Sequence, residues 1–108
     1  YARERQKIEL VRGDSHQPDT AEKVRKLLAG RPVDFLFIDG DHAYDSVKTD
    51  FEFYSPLVAR DGLIAFHDIV PGSPDPRCRV PEFWQEIKKG RDAVEFVADW
   101  KHSYSRHY

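Results

Sequence analysis

At 108 residues the chain holds one domain's worth of sequence, which excludes a multidomain machine. With 17 Lys+Arg against 19 Asp+Glu the formal net charge is -2, whereas a polyanion-binding module would carry a strongly basic face. Hydrophobic residues make up 40% and aromatics 13%, a globular mixture, and the longest strongly apolar runs, residues 35–38 and 63–66, are too short for a membrane span or secretory leader.

In chain order, Ile8-Glu9-Leu10-Val11 reads as a short β-type run stopped by Gly13-Asp14-Ser15. Residues 18–29 read as a helix: Asp19 and Glu22 have capping-box spacing, Ala21, Val24, Leu27 and Leu28 form one apolar stripe, and Gly30 ends it. Residues 33–38 are apolar at nearly every position except Asp34, which predicts a strand buried on both faces, as in a parallel sheet. A second helix is predicted over 44–59, with Val47, Phe51, Tyr54 and Val58 on one face. Asp61-Gly62 then predicts a turn into a strand at 63–66. Residues 70–80, with Pro71, Gly72, Pro74 and Pro76, read as a loop. Pro81 suits the first position of a third helix with Phe83, Trp84 and Ile87 as its core face, Gly90 closes that helix, and 93–98 is a final strand. The alternation predicts an α/β layer fold with parallel strands.

In such folds ligands bind at the carboxyl ends of the strands. Here those ends read Gly13-Asp14-Ser15-His16, Asp39-Gly40-Asp41-His42 and His67-Asp68. Neighbouring strands lie about 4.8 Å apart, so the Asp39 and Asp68 carboxylates can converge on one cation, and hard oxygen ligands suit Mg²⁺, Mn²⁺ or Ca²⁺. Asp41 has a second reading as a cap of the helix from Tyr44, and a solitary histidine such as His42 is more often structural than a ligand. His16, His102 and His107 have no partner pattern and are expected at the surface. Cys78, the single cysteine, has no local His or Asp arrangement to make it a nucleophile; it permits no disulfide within the chain, and a reducing, cytoplasmic setting is expected.

Phe37-Ile38-Asp39-Gly40-Asp41-His42-Ala43-Tyr44, then Val47-Lys48-Thr49-Asp50, then Gly62-Leu63-Ile64-Ala65-Phe66-His67-Asp68 resembles the class I S-adenosylmethionine-dependent methyltransferases. The resemblance is to the branch with metal-dependent sugar and catechol O-methyltransferases and cephalosporin hydroxylase-like proteins, over about residues 8–100. It implies a parallel-strand, three-layer Rossmann-like fold, present in part, without its first βα units and last strand. The runs at 8–11, 33–38, 63–66 and 93–98 would be its third, fourth, fifth and sixth strands, of which only the fourth and fifth are neighbours.

The resemblance also implies roles. Asp39 and Asp68 would hold a divalent cation, with His67 between them where metal-dependent relatives carry Asp or Glu. Asp41 would be the general base, His42 would act beside the cofactor pocket, and Asp14 and Ser15 would contact the adenine of S-adenosylmethionine. The implied cofactor set is therefore Asp14, Ser15, Asp39 and His42, the catalytic pair Asp41 and His42, and the metal set Asp39, His67 and Asp68. The chemistry would be in-line attack of a small-molecule hydroxyl on the sulfonium methyl. Gly13 and Gly30 form no Gly-x-Gly signature, and the chain has no methionine, so it is expected to be the C-terminal part of a longer methyltransferase, inactive in isolation. Unpaired strand edges predict a homo-oligomer, with no nucleic-acid or membrane partner.

Three other chemistries share parts of the pattern. A phosphatase-type hydrolase uses a hydrophobic strand followed by Asp-x-Asp, with Asp39 as nucleophile, but continues into a small Gly-Thr turn that His42-Ala43-Tyr44 does not supply. A nucleotide-sugar glycosyltransferase also uses Asp-x-Asp, without a His67-Asp68 counterpart. A non-catalytic phosphoacceptor module would need a Lys-Pro pair after a later strand.

Overall fold

The computed structural model describes residues 6–99 and 105–107. The elements are α1 (Pro18–Leu28), β1 (Val33–Ile38), α2 (Tyr44–Tyr54), a 3-10 turn (Ser55–Leu57), β2 (Val58–Phe66), α3 (Val80–Ile87), β3 (Val97–Asp99) and β4 (Ser105–His107). They form two compact units, one of residues 1–38 and 49–65, the other of 39–48 and 66–108. Among the described residues no helix is long and apolar enough to cross a membrane.

In the first unit β1 and β2 form a parallel two-stranded sheet, the pairing expected of the fourth and fifth strands. α1 buries Thr20 and Ala21, leaves Leu27 exposed, and ends with Ala29 and Gly30 in left-handed conformations (φ 50° and 83°). The Asp19/Glu22 capping box does not form: Gln17 occupies the N-cap without a side-chain bond, and Glu22 instead pairs with Arg25 one turn on. Residues 8–11 form no strand. Ile8 is 59% exposed and Leu10 90%, and an extended segment with no partner has nothing to satisfy its backbone.

The predicted β1 holds to the residue, but its double burial does not. Ile38 is buried while Phe35 and Phe37 are more than half exposed, stacked on each other at 6.5 Å, because no further strand or helix of the described residues covers that side. The expected second helix stops early. Pro56 has no amide proton to continue the ladder, so the chain tightens into the 3-10 turn and extends, giving Val58 and Ala59 to β2. β2 also runs straight through Asp61-Gly62, where a turn was predicted. A Cβ on Gly62 would lie 3.0 Å from the Asp34 carbonyl oxygen and 2.6 Å from a Val58 methyl, so glycine here permits close strand approach rather than a reversal.

The second unit is built around Val47, 1% exposed on the first half of α2, and around α3. Phe83, 3% exposed, meets Tyr44 and Phe66 edge-on at 6.0 Å each, and Trp84 lies 5.8 Å from the Phe66 ring. Burying one such aromatic contributes about 1.5–3 kcal/mol. α3 starts one residue earlier than predicted, with Val80 ahead of Pro81. The final strand is shorter than predicted: β3 pairs antiparallel with β4, Ala98 opposite Arg106. His107 falls in β4, and His102 lies outside the described residues.

Candidate functional site

Asp39 is the first residue after β1, and His67 and Asp68 are the first two after β2. In the second unit, one ligand atom each from Asp39, His42 and Asp68 lies within 4.8 Å of the others. His42 Nε2 is 3.0 Å from Asp68 Oδ2. That same oxygen is 2.9 Å from His67 Nδ1, which is itself 3.4 Å from Asp39 Oδ1. The His67 imidazole has its pKa raised, first by its hydrogen bond to Asp68, then by the charges of Asp68 and Asp39. Asp68 has φ 66°, a left-handed conformation that Asp adopts more readily than most residues and that costs about 1–2 kcal/mol. That turn of backbone is part of how a residue outside β2 brings its carboxylate to two imidazoles.

Donors 2.0–2.6 Å from one cation lie no more than about 5 Å apart, so the Asp39, His42 and Asp68 atoms fit a single divalent ion. Two carboxylates with one imidazole favour Mn²⁺ or a later transition metal over Mg²⁺ or Ca²⁺, which prefer oxygen alone. The sequence pointed to His67 as the nitrogen of this set. The three-residue group contains His42, and His67 lies against both of its carboxylates, hydrogen-bonded to Asp68.

Asp41 faces the start of α2. Its Oδ1 accepts the Ala43 amide at 3.2 Å and its Oδ2 the Ser46 hydroxyl at 3.0 Å, so the bracing role weighed for it is present in the structure. Nearby, the Arg79 amide donates to the His42 carbonyl at 2.7 Å, tying the loop before α3 to the residue that completes the cluster. The Arg79 side chain lies 5.7 Å from the Tyr44 ring centre, and the Tyr44 hydroxyl donates to Glu86.

Asp14 and Ser15 belong to the first unit, and the other predicted site residues belong to the second. The His16 amide donates to Asp14 Oδ1 at 2.9 Å, and the Ser15 hydroxyl donates to Asp50 Oδ1 at 2.7 Å. His16 is not the partnerless surface residue expected: it is half-buried, 3.1 Å from Asp14 and 3.4 Å from Asp50. Sequence reading missed Asp50, which is 5% exposed, and Tyr54, whose hydroxyl donates to the Ser15 carbonyl at 2.9 Å. A signal existed, since Asp50 is the one acidic residue on the stripe of α2 that holds Val47, Phe51 and Tyr54.

A family model described as "Methyltransferase domain" matches residues 1–69, which takes in Asp14, Ser15, Asp39, Asp41, His42, His67 and Asp68. The chain belongs to this methyltransferase family. An uncharacterized protein of Acanthamoeba polyphaga mimivirus is 50% identical over 36 residues, which is 33% of this chain and 16% of that protein. An uncharacterized protein of Sinorhizobium fredii is 33% identical over 64 residues, 59% of this chain and 7% of that protein. The methyltransferase chain thus spans a small part of the length of these relatives. No solved structure matches it.

Proposed function

We propose that this methyltransferase domain transfers a methyl group from S-adenosylmethionine to the hydroxyl of a small molecule, with a divalent cation at Asp39, His42 and Asp68. The observation that carries the reading is the meeting of these three side chains within 4.8 Å, from segments that directly follow two paired parallel strands, inside the stretch matched by the family. The cofactor supplies the electrophilic sulfonium methyl, and the cation supplies Lewis acidity toward the acceptor oxygen.

The chain's own residues do the rest. Asp39 and Asp68 bring negative charge, His42 brings a directional nitrogen, and His67 holds the Asp68 carboxylate in place through its 2.9 Å contact. Asp41 takes the acceptor proton, and its bonds to Ala43 and Ser46 fix the orientation of its carboxylate. Asp14 and Ser15, on the turn before α1, contact the adenine. The single free Cys78 suits a cytoplasmic setting, and the exposed Phe35, Phe37 and Leu63 invite association with a second copy.

The test is release of S-adenosylhomocysteine by the full-length protein over a panel of sugar and catechol hydroxyls. Methyl transfer to oxygen is expected. Phosphate release from phosphomonoesters with no methyl transfer would replace this reading by the hydrolase one.

A further inference from the structure

Asp50 is 5% exposed, with its carboxylate turned to the turn at residues 14–17 rather than to water. Its Oδ1 accepts the Ser15 hydroxyl at 2.7 Å and lies 3.4 Å from His16 Nε2, a buried nitrogen that completes no hydrogen bond among the described residues. One turn further along α2, Tyr54 donates to the Ser15 carbonyl. Burial, then the nearby Asp50 and Asp14 charges, raise the Tyr54 pKa and keep that donor protonated. The turn is also closed from within, by His16 N–H to Asp14 Oδ1 at 2.9 Å and Gln17 N–H to the Asp14 carbonyl at 3.0 Å. On its α1 side, a Cβ at Gly13 would lie 2.7 Å from the Thr20 hydroxyl, so backbone and helix are in direct contact there.

A buried carboxylate costs several kcal/mol to desolvate unless it is well partnered, and among the described residues this one has a single completed side-chain bond, to Ser15. A helix seeking stability alone would place an apolar residue at this position of its buried stripe. The acid is therefore matched to what it grips: a serine hydroxyl and an imidazole on the turn that presents Asp14.

We propose that Asp50 is a positioning residue for cofactor binding, fixing the Asp14–Ser15–His16 turn in the conformation that receives the adenine of S-adenosylmethionine. This rests on the assignment of Asp14 and Ser15 to the adenine, and it adds a residue from α2 that acts only through them.

The test is calorimetric titration of the full-length protein with S-adenosylhomocysteine, beside amide exchange at His16 and Gln17. Asp50→Ala removes the acceptor and should weaken binding roughly 10-fold or more, while Asp50→Asn, which keeps an oxygen for Ser15, should stay within about 3-fold. Ser15→Ala deletes the same bond with less disturbance to the fold, and should weaken binding several-fold even if Asp50→Ala does not fold. The Ser15→Ala effect should shrink when Asp50 is already alanine, leaving only what Ser15 contributes through its own contact with the adenine, and fully additive losses would overturn the proposal. Exchange at His16 and Gln17 should quicken in step with the loss of affinity. A purely structural acid would lower the melting temperature and leave the affinity and exchange of the folded protein unchanged, and that result would overturn the proposal. Wild-type protein that does not bind at all would instead overturn the adenine assignment beneath it, so the two failures are distinct.

Discussion

His42 Nε2 and Asp68 Oδ2 lie 3.0 Å apart, joining the segment after β1 to the segment after β2. This pair, rather than the neighbouring His67–Asp68 pair, belongs to the group whose donors fit one cation. The two histidines should therefore differ in a metal titration. His42→Ala is expected to weaken Mn²⁺ binding by about 100-fold or more, and His67→Ala by roughly 10-fold, the size of a supporting contact. Electron paramagnetic resonance titration of free Mn²⁺ reads both, and equal losses would put the two imidazoles on the same footing.

Asp41 separates a bracing role from a chemical one. Loss of its bonds to Ala43 and Ser46 should cost about 1 kcal/mol of stability, measured by urea unfolding of Asp41→Ala. Loss of a general base should lower turnover by roughly 10²–10⁴ in Asp41→Asn with cofactor affinity nearly unchanged. Reduced stability with undiminished turnover would leave Asp41 with the brace alone.

Much of this was legible in the sequence, and the exceptions have physical causes. β1 was readable because a run of apolar residues bounded by Pro32 and Asp39 has few other conformations, and the carboxylates followed from its end. The meeting of His42 with Asp68 was not readable, because the two lie 26 positions apart and Asp68 has a left-handed backbone that no local pattern announces. Nor was the length of β2, because Asp61-Gly62 has the composition of a turn, and only the approach of the Asp34 carbonyl shows why glycine is there. Residues 8–11 failed for the opposite reason: β propensity without a partner does not make a strand.

The two close glycines should respond unequally to alanine. At Gly62 the new methyl would meet backbone oxygens of Asp34 and Ala59 at 3.0 and 3.1 Å as well as the Val58 side chain. At Gly13 its three nearest neighbours would all be atoms of the Thr20 side chain. Gly62→Ala should lose about 2–3 kcal/mol and Gly13→Ala about 1, by chemical unfolding, since side chains yield more readily than a paired strand.

Glu95 gives the second unit a dependence on acid. Its carboxylate accepts from Lys88 Nζ at 2.7 Å and from the Trp84 indole at 2.6 Å, and these bonds, Lys88 first, hold its pKa below the usual carboxylate value. A depressed folded-state pKa means stability that is present above the ordinary carboxylate range and lost as pH falls through it and below. Thermal unfolding of wild type and Glu95→Gln should differ at neutral pH and converge in acid. Parallel curves down to low pH would contradict the pairing.

The proposed cation at Asp39, His42 and Asp68 would take part in methyl transfer to a hydroxyl. The most direct measurement is S-adenosylhomocysteine release by the full-length protein after chelation, titrated with Mn²⁺, for wild type and Asp68→Asn. Asn tolerates the same left-handed backbone, so this variant removes charge without removing the turn. Activity should vanish on chelation, return with Mn²⁺, and need about 10-fold or more Mn²⁺ in the variant. Full methyl transfer in the presence of chelator, equal in the two proteins, would contradict the account.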